Sequence, residues 1–297
     1  MKKNSRHRFD AAHPRKKSSI GLRRLADGQI WVDQAYEAEL DEVGLATFDA
    51  VMRSRTGRLL RTLPDRENWR LELGEAERQR VFYLKKHRGG SLLERVRLWF
   101  GPRRARTPGR TEAENVAALK RAGIESMRVV AFGERMARGV SESFFMTEEL
   151  RGFAPLDDFV RWHFVPAAER TRFDGKLRGL ALAVADVARR FHAAGFNHRD
   201  FYCCHLFIQE LPDRDFAIRL IDLQRVEQRR WFRRRWIVKD LAQLAYSAPR
   251  ERITRSLRMA FIKRYLGIAK LGAAEKRLIR RILRRQRAME RRLGARR

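Results

Sequence analysis

Two aspartates in apolar surroundings, Asp200 and Asp222, constrain the fold and chemistry of this chain more than any other feature. Asp200 follows His198 and Arg199 and precedes a largely apolar segment, and Asp222 lies 22 residues later inside a short apolar run. In phosphotransferases, a loop aspartate that orients the attacking hydroxyl group precedes a strand aspartate that binds Mg²⁺. Each motif is short enough to occur by chance, but their order and their apolar neighbours together predict a phosphotransferase.

A phosphotransferase of this kind also needs a cation on the nucleotide phosphates and an acidic residue that positions it. Lys85 ends the strand-like run Val81–Leu84, and Glu112 lies in the first turn of the next predicted helix. We therefore predict that both bind the nucleotide, with Lys86 and Glu114 as rival candidates. No Gly-x-Gly-x-x-Gly loop precedes Lys85, so the phosphates must be covered differently from those in an ordinary protein kinase.

His205 stands five residues after Asp200, where a protein kinase carries a metal-binding asparagine. Imidazole is a poor ligand for Mg²⁺, which prefers oxygen, so weak metal contact, phosphate contact and loop orientation all remain open. Both aspartates also have a non-catalytic explanation. For Asp200 it is a buried ion pair with Arg199, and for Asp222 it is an N-cap or turn position after a strand. We assign the catalytic group to Asp200, His198, Arg199 and His205, and the metal site to Asp222 and His205.

The charge of the chain is strongly positive, with 67 Lys and Arg against 36 Asp and Glu and a formal net charge of +31. Such a charge favours a polyanionic partner, which would be nucleic acid, an anionic membrane surface or a phosphorylated substrate. An arginine-rich genome is the alternative source of this charge. Apolar residues make up 44% of the chain, which excludes a disordered protein.

The cysteines and the apolar runs bear on the compartment. Cys203 and Cys204 are adjacent and lack metal-ligand spacing, which indicates small buried residues in a reducing compartment. No apolar run of membrane-spanning length occurs, and no apolar segment follows the basic N-terminus. We therefore expect a cytoplasmic protein that contacts a membrane peripherally.

Strands predicted before residue 150 and helices predicted after it indicate an α+β protein with two lobes. The strand-like runs are Trp69–Leu73, Val81–Lys85, Val129–Gly133, Ser143–Thr147 and Ala217–Leu223. The helical patterns are Thr111–Ala122, Phe173–Gly195, Lys239–Tyr246 and Ile253–Tyr265, whereas Arg53–Asn68 and Gly89–Gly109 read as loops. We divide the chain into a basic flexible arm (1–28), a strand-rich lobe (29–150), a helical lobe with the catalytic loop (151–270) and a basic helix (271–297).

The stretch from Phe191 to His205 resembles the catalytic segment of the lipopolysaccharide core heptose kinases. Further similar segments follow the family's order along the chain, from Trp69 to Ser247. They are Phe82–Gly89, Val130–Glu134, Thr147–Leu150, Ile221–Arg225, Arg235–Trp236 and Lys239–Leu241. Gln224 departs from the family, which more often has histidine there, and residues 1–28 and 271–297 are not covered.

The resemblance implies a protein-kinase-like bilobal fold, with a small strand-rich N-lobe and a larger helical C-lobe. It implies that Lys85 holds the phosphates of ATP, with Glu112 as its partner. It also makes Asp200 the catalytic base and Asp222 the ligand of Mg²⁺. The family carries histidine at the position of His205, which favours this family over ordinary protein kinases.

The implied activity is ATP-dependent phosphorylation of a heptose of the lipopolysaccharide inner core, an anionic glycolipid of the inner membrane. We add Glu148, at the start of the connector between the lobes, to the nucleotide-binding residues. Candidates for contact with the glycolipid or with the membrane surface are Arg103, Arg104, Arg106, Arg229, Arg230, Arg233, Arg234 and Arg235.

Several alternatives keep the kinase fold and change the acceptor to Kdo, another glycan or a protein hydroxyl group. A catalytically inactive kinase fold is a further alternative, which the joint presence of Lys85, Asp200 and Asp222 argues against. From a different class, a polyanion- or nucleic-acid-binding protein would explain the charge. Aromatic residues are not interleaved with arginine as a stacking platform requires, which argues against nucleic acid. The sequence does not identify a protein partner.

Overall fold

A computed structural model of the protein describes residues 21–25, 27–74, 79–89, 106–137, 140–169, 174–213, 215–229, 231 and 233–294. In the N-lobe the strands are β1 (Arg23–Arg24), β2 (Ile30–Val32), β3 (Arg58–Leu63), β4 (Arg66–Leu73), β5 (Arg80–Arg88), β6 (Val129–Ala137) and β7 (Val140–Glu148). The N-lobe helices are α1 (Glu37–Glu42), α2 (Phe48–Arg53) and α3 (Pro108–Arg121).

The C-lobe is mainly helical, as the α+β prediction requires. Its helices are α4 (Leu156–His163), α5 (Gly175–Ala193), α6 (Arg233–Ser247), α7 (Arg255–Leu266) and α8 (Ala273–Gly294). Its strands are β8 (Ala154–Pro155), β9 (Phe196–Asn197), β10 (Leu206–Glu210), β11 (Phe216–Leu220) and β12 (Glu227–Gln228). None of the described helices is long and apolar enough to cross a membrane.

The N-lobe strands form one antiparallel sheet in the order β1-β2-β6-β7-β5-β4-β3. Strands β4 and β5, both indicated by strand-like runs in the sequence, pair in antiparallel fashion and place Asn68 opposite Lys85 and Arg66 opposite His87. Side chains alternate between the two faces of a strand. Phe82 therefore lies in the apolar cluster under α1 and α2, whereas Lys85 and His87 face the C-lobe.

Helix α3 lies between this sheet and the C-lobe. It begins at Pro108, with the Thr107 hydroxyl group accepting the N–H of Arg110 at 3.3 Å. The helical pattern predicted from Thr111 therefore starts too late, because proline at the first helical turn and threonine before it start the helix earlier. Gly109 lets α3 approach β7 closely, since a Cβ atom there would collide with the carbonyl oxygen of Phe144.

The long helix α5 forms the centre of the C-lobe and buries the apolar stripe that the sequence predicts, including Leu180, Val184 and Phe191. Strands β10 and β11 pair as a hairpin, with Leu206 opposite Leu220. This hairpin joins the loop that contains Asp200 to the segment that contains Asp222. The sequence did not reveal β10, which is only five residues long.

Two further boundaries differ from the predictions. The arm predicted over 1–28 ends too late, because Leu22 is buried and β1 pairs with β2, while residues 1–20 lie outside the described part. The predicted loop Arg53–Asn68 contains β3 and the start of β4. Most of the predicted loop Gly89–Gly109 also lies outside the described residues.

Candidate active site

Lys85 lies between two carboxylates, one from each lobe. Its Nζ atom is 2.8 Å from Oε1 of Glu112 in α3 and 2.9 Å from Oδ1 of Asp222. Burial alone would lower the pKa of Lys85, but the two carboxylates raise it above its ordinary value. The ammonium group is therefore charged and fixed in the cleft, as a group that holds nucleotide phosphates must be.

The rival candidates for these roles lie elsewhere. The Lys86 side chain points to the other face of the sheet, where its ammonium group lies 5.2 Å from the centre of the Trp69 ring. Glu114 forms an ion pair with Arg106 at 2.7 Å. Lys85 and Glu112 are thus the pair that faces Asp222.

Asp222 adopts a left-handed backbone conformation with a φ of 56°. Burial would raise the pKa of its carboxyl group, but the Lys85 ammonium group, with smaller effects of His205 and His198, lowers that pKa to about 2. The carboxylate is therefore ionised at neutral pH. A fixed anion beside Lys85 has the charge that a metal-binding residue needs.

His205 bridges the two aspartates. Its Nδ1 atom is 2.7 Å from the backbone carbonyl oxygen of Asp200, and its Nε2 atom is 3.8 Å from Oδ2 of Asp222. Burial would lower the pKa of His205, but Cys204, the Asp200 carbonyl and Asp222 raise it to about 9. A protonated imidazole has no lone pair for a metal ion. Of the three roles left open for His205, this geometry therefore supports orientation of the loop.

Asp200 carries a partner that the sequence did not identify. Nη1 of Arg225 lies 2.9 Å from Oδ1 and 2.8 Å from Oδ2 of Asp200. Arg225 belongs to the 3₁₀ turn that follows Asp222. The alternative of an ion pair between Asp200 and Arg199 is not borne out, because Arg199 pairs with Glu227. The Asp200 carboxylate is instead held toward the segment that follows Asp222.

The backbone of the catalytic loop is held by a buried aspartate of α6. The Asp240 carboxylate accepts the N–H of His198 at 2.8 Å and the N–H of Arg199 at 2.9 Å. Arg199 has a φ of 69°, and its carbonyl oxygen accepts hydrogen bonds from Lys239 and Gln243. In the sequence, Asp240 lies in the family-like segment Lys239–Leu241 and in a predicted helix, and these are the signals that point to it.

The side chains of His198 and Arg199 are placed away from the reacting groups. His198 is fully buried, its Nε2 atom donates to the carbonyl of Ile221 at 3.1 Å, and burial lowers its pKa to about 4. The Arg199 guanidinium group pairs with Glu227 and lies over the Trp236 ring. These contacts support positioning roles in place of the predicted catalytic ones.

Glu148 is not part of this cluster. Its carboxylate accepts the Tyr36 hydroxyl group at 2.6 Å and lies near Arg80 and Arg128. Because Tyr36 belongs to the apolar cluster on the far face of the sheet, the Glu148 side chain points away from Lys85. Only its backbone lies at the junction between the lobes.

The segment after Asp222 is also tied to the N-lobe. The Asn115 side chain of α3 donates to the carbonyls of Leu223 and Val226 at 2.8 and 3.0 Å. Gln224, where the chain departs from the family pattern, accepts a hydrogen bond from Arg66 of β4 at 3.3 Å. Single polar residues of this kind give no periodic signal, so the sequence did not reveal these contacts.

Comparison with known proteins covers both lobes. A profile of the lipopolysaccharide kinase (Kdo/WaaP) family matches residues 54–265. The lipopolysaccharide core heptose(I) kinase WaaP of Pseudomonas aeruginosa is 32% identical over 227 residues, which cover 75% of this chain and 81% of that protein. The WaaP of Escherichia coli is 32% identical over 228 residues, covering 75% and 82%.

A solved structure of WaaP in complex with acyl carrier protein matches with a TM-score of 0.65 and 27% identity. The match covers 90% of this chain and 98% of that chain, which confirms the kinase-like bilobal fold expected from the sequence. The profile match includes Lys85, Asp200 and Asp222. The chain belongs to the lipopolysaccharide kinase (Kdo/WaaP) family and is therefore an ATP-dependent phosphotransferase that acts on a hydroxyl group.

Proposed function

We propose that the protein phosphorylates a heptose of the lipopolysaccharide core. The observation that carries this proposal is the convergence of Lys85, Glu112, Asp200 and Asp222 on one cleft. The heptose(I) kinases that match three quarters of the chain support the choice of acceptor. Kdo remains the second candidate, because the family description includes it.

In the proposed reaction, a sugar hydroxyl oxygen attacks the γ-phosphorus of ATP. The new O–P bond forms as the bond to the ADP oxygen breaks, and the hydroxyl proton passes to the Asp200 carboxylate. Arg225 and the Asp240-bound backbone hold that carboxylate in place. Lys85 stabilises the charge on the phosphates, while Glu112 keeps the ammonium group extended into the cleft.

We propose Mg²⁺ as the metal, with Asp222 as its protein ligand. No group of three or more His, Cys, Asp or Glu side chains forms a metal site within the described ranges. A single ionised carboxylate nevertheless fits Mg²⁺, which is commonly held by one or two carboxylates and completed by nucleotide phosphates and water. When bound, the metal would neutralise charge on the phosphates. We propose that His205 orients Asp222 rather than binding the metal.

For the nucleotide base, we propose contacts with the backbone at the end of β7 and in the connector. The Glu148 carboxylate is occupied on the far face of the sheet, so a role for this residue in nucleotide binding would use its peptide group. Glu148→Gln should then leave the affinity for ATP unchanged.

The acidic groups of the acceptor have a matching surface beside the catalytic loop. Four cations surround the Trp236 ring at 4.9 to 5.9 Å from its centre, namely Arg199, Arg229, Arg235 and Lys239. Lys239 also donates to the carbonyl of Arg199, next to Asp200. We propose that this cluster, the Trp236 cluster, contacts anionic groups near the acceptor hydroxyl. Arg235→Ala should then raise the KM for the acceptor and leave the KM for ATP unchanged.

Peripheral membrane contact is proposed for the adjacent surface. Trp231 is 79% exposed and lies in an arginine-rich segment, a combination suited to the interface of an anionic membrane. Of the other predicted contacts, Arg106 is paired with Glu114, and Arg103, Arg104 and Arg230 lie outside the described residues. Trp231→Ala should lower the fraction of the protein that co-sediments with anionic vesicles.

A protein partner is proposed from the matched complex with acyl carrier protein. A cavity of about 390 Å³ lies between α5, α6, α7 and α8, and its lining is largely apolar, including Leu180, Val184 and Leu244. Such a cavity would accept an acyl chain. Ala181→Trp, which fills it, should reduce co-purification with acylated carrier protein.

The deciding experiment follows labelled γ-phosphate from ATP to dephosphorylated lipopolysaccharide core, with wild type and Asp200→Asn. Labelling of a heptose by wild type only is the expected result. If the wild type labels Kdo, the second candidate replaces the first. If wild type and Asp200→Asn label the core equally, the role given to Asp200 is wrong.

A further inference from the structure

Four of the polar side chains on the cleft face of β4 and β5 form two neighbouring cross-strand pairs. Arg66 lies opposite His87, and Asn68 lies opposite Lys85. Residues directly opposite each other on antiparallel strands share one face of the sheet. The four side chains therefore form a patch around Lys85, which is itself 2.9 Å from Asp222.

Two atoms of this patch are buried without a partner. They are Nε2 of His87, whose residue is only 5% exposed, and Oδ1 of Asn68. A buried polar atom that lacks a hydrogen bond costs about 1–3 kcal/mol, so each such atom calls for an explanation. Burial, with Arg66 and Lys85 nearby, lowers the pKa of His87 to about 4. His87 is thus a neutral imidazole with an unused ring nitrogen beside the nucleotide lysine.

Arg66 extends from this patch across the cleft. Its Nη1 atom donates to the Gln224 side chain at 3.3 Å, two residues beyond Asp222. Among the described residues, Arg66 forms no ion pair with a carboxylate. A guanidinium group whose partner is a neutral amide at the long end of hydrogen-bond distances is available to a stronger acceptor, and phosphate oxygens are such acceptors.

The turn between β3 and β4, which precedes Lys85 in the sheet, is too short to cover phosphates with backbone N–H groups. Only Pro64 and Asp65 separate β3 from β4, and Pro64 has no N–H to donate. Since no glycine-rich loop precedes Lys85 in the sequence, side chains must supply the contacts that such a loop supplies elsewhere. The side chains that face the cleft at this point are those of the patch.

We propose that Arg66 and His87 bind the phosphate groups of the nucleotide and replace a glycine-rich loop. This inference rests on the proposed function for its nucleotide site but not for its acceptor. Arg66 exchanges its bond to Gln224 for phosphate oxygens, and the free His87 ring nitrogen donates to another. With Lys85 and a metal on Asp222, the phosphates are then enclosed from both lobes.

The test is calorimetric titration of the full chain with ATP, ADP and adenosine in the presence of Mg²⁺. Arg66→Ala should weaken ATP binding about tenfold or more, the range expected for a lost charge-assisted contact, and leave adenosine binding unchanged. Arg66→Lys should recover part of the loss. The matched control is Arg70→Ala, on the same strand and face but paired with Glu72, which should bind ATP like wild type.

His87→Asn provides a second variant for the buried position, compared with wild type in thermal unfolding. The expected result is a folded protein with weaker ATP and ADP binding and unchanged adenosine binding. Equal ATP affinities of Arg66→Ala and Arg70→Ala would overturn the proposal, as would equal losses for ATP and adenosine. Because no acceptor is present, a failure of the heptose assignment leaves this result unaffected.

Discussion

Asp240 fixes Arg199 in a backbone conformation that it would not otherwise favour. Its Oδ1 atom accepts the Arg199 N–H at 2.9 Å, while the φ of Arg199 is 69°. Left-handed conformations of residues other than glycine cost about 1 kcal/mol or more. The bend sets the direction in which the next residue, Asp200, leaves the loop, so a side chain in α6 controls the placement of the proposed catalytic base.

Replacing Asp240 should therefore affect both stability and turnover. Asp240→Ala leaves two buried N–H groups without acceptors, and we expect a loss of about 2 kcal/mol or more in the free energy of unfolding. We expect kcat to fall at least about tenfold, with a smaller change in the KM for ATP. Urea unfolding and steady-state kinetics measure the two effects. Asp186→Ala, which breaks the exposed pair with Arg264, is the control, and an equal effect of both variants would contradict this prediction.

Arg225 should matter for catalysis rather than for nucleotide binding. Because it contacts both carboxylate oxygens of Asp200, Arg225→Ala should lower kcat by about tenfold and leave the KM for ATP unchanged. Arg225→Lys keeps a cation within reach and should retain most of the activity. Kinetics with saturating acceptor tests this, and an Arg225→Ala enzyme as fast as wild type would remove Arg225 from the mechanism.

Asn115 should couple α3 to the segment that follows Asp222, the proposed metal ligand. Asn115→Ala removes the donors to the Leu223 and Val226 carbonyls, so we expect about 1–2 kcal/mol lower stability and several-fold weaker binding of ATP with Mg²⁺. Thermal unfolding and nucleotide titration are the measurements. Lys120→Ala, at an exposed position on the same helix, should change neither quantity.

Lys86 should make stability depend on pH in the alkaline range. Burial, with Arg88 and Arg55 nearby, lowers the pKa of Lys86 to about 8 from 10.5. Below pH 8 the lysine is protonated in both states, and the folded protein carries the full cost of the buried charge. Between pH 8 and 10.5 the unfolded state binds more protons, so this contribution to the free energy of unfolding rises with pH.

Lys86→Met should remove this contribution. Relative to wild type, the variant should gain most at pH 7, and the gain should shrink as the pH rises through 8 toward 10.5. Urea unfolding at pH 7, 9 and 10 measures the difference. A difference that stays constant over this range would show that the pKa of Lys86 is not lowered.

The sequence predicted those parts of the site that belong to contiguous patterns. Lys85 follows from an alternating strand, and Asp200 and Asp222 follow from short motifs in apolar runs, so their order along the chain was readable. Arg225 and Asp240 were not assigned roles, because their partners lie 25 and 41 or more residues away. Such pairings depend on how helices and turns pack, and no local periodicity of the sequence predicts them. The same reason explains why the sequence did not reveal that the Glu148 side chain contacts Tyr36 and points away from Lys85.

The segment that begins at Asp222 receives contacts from the N-lobe through Lys85, Asn115 and Arg66. Any change in the angle between the lobes must therefore alter the surroundings of the proposed metal ligand. If binding of an acceptor draws the lobes together, then binding of the acceptor and binding of a metal by Asp222 are linked by one coupling free energy. By thermodynamic reciprocity, the factor by which the acceptor tightens metal binding equals the factor by which the metal tightens acceptor binding.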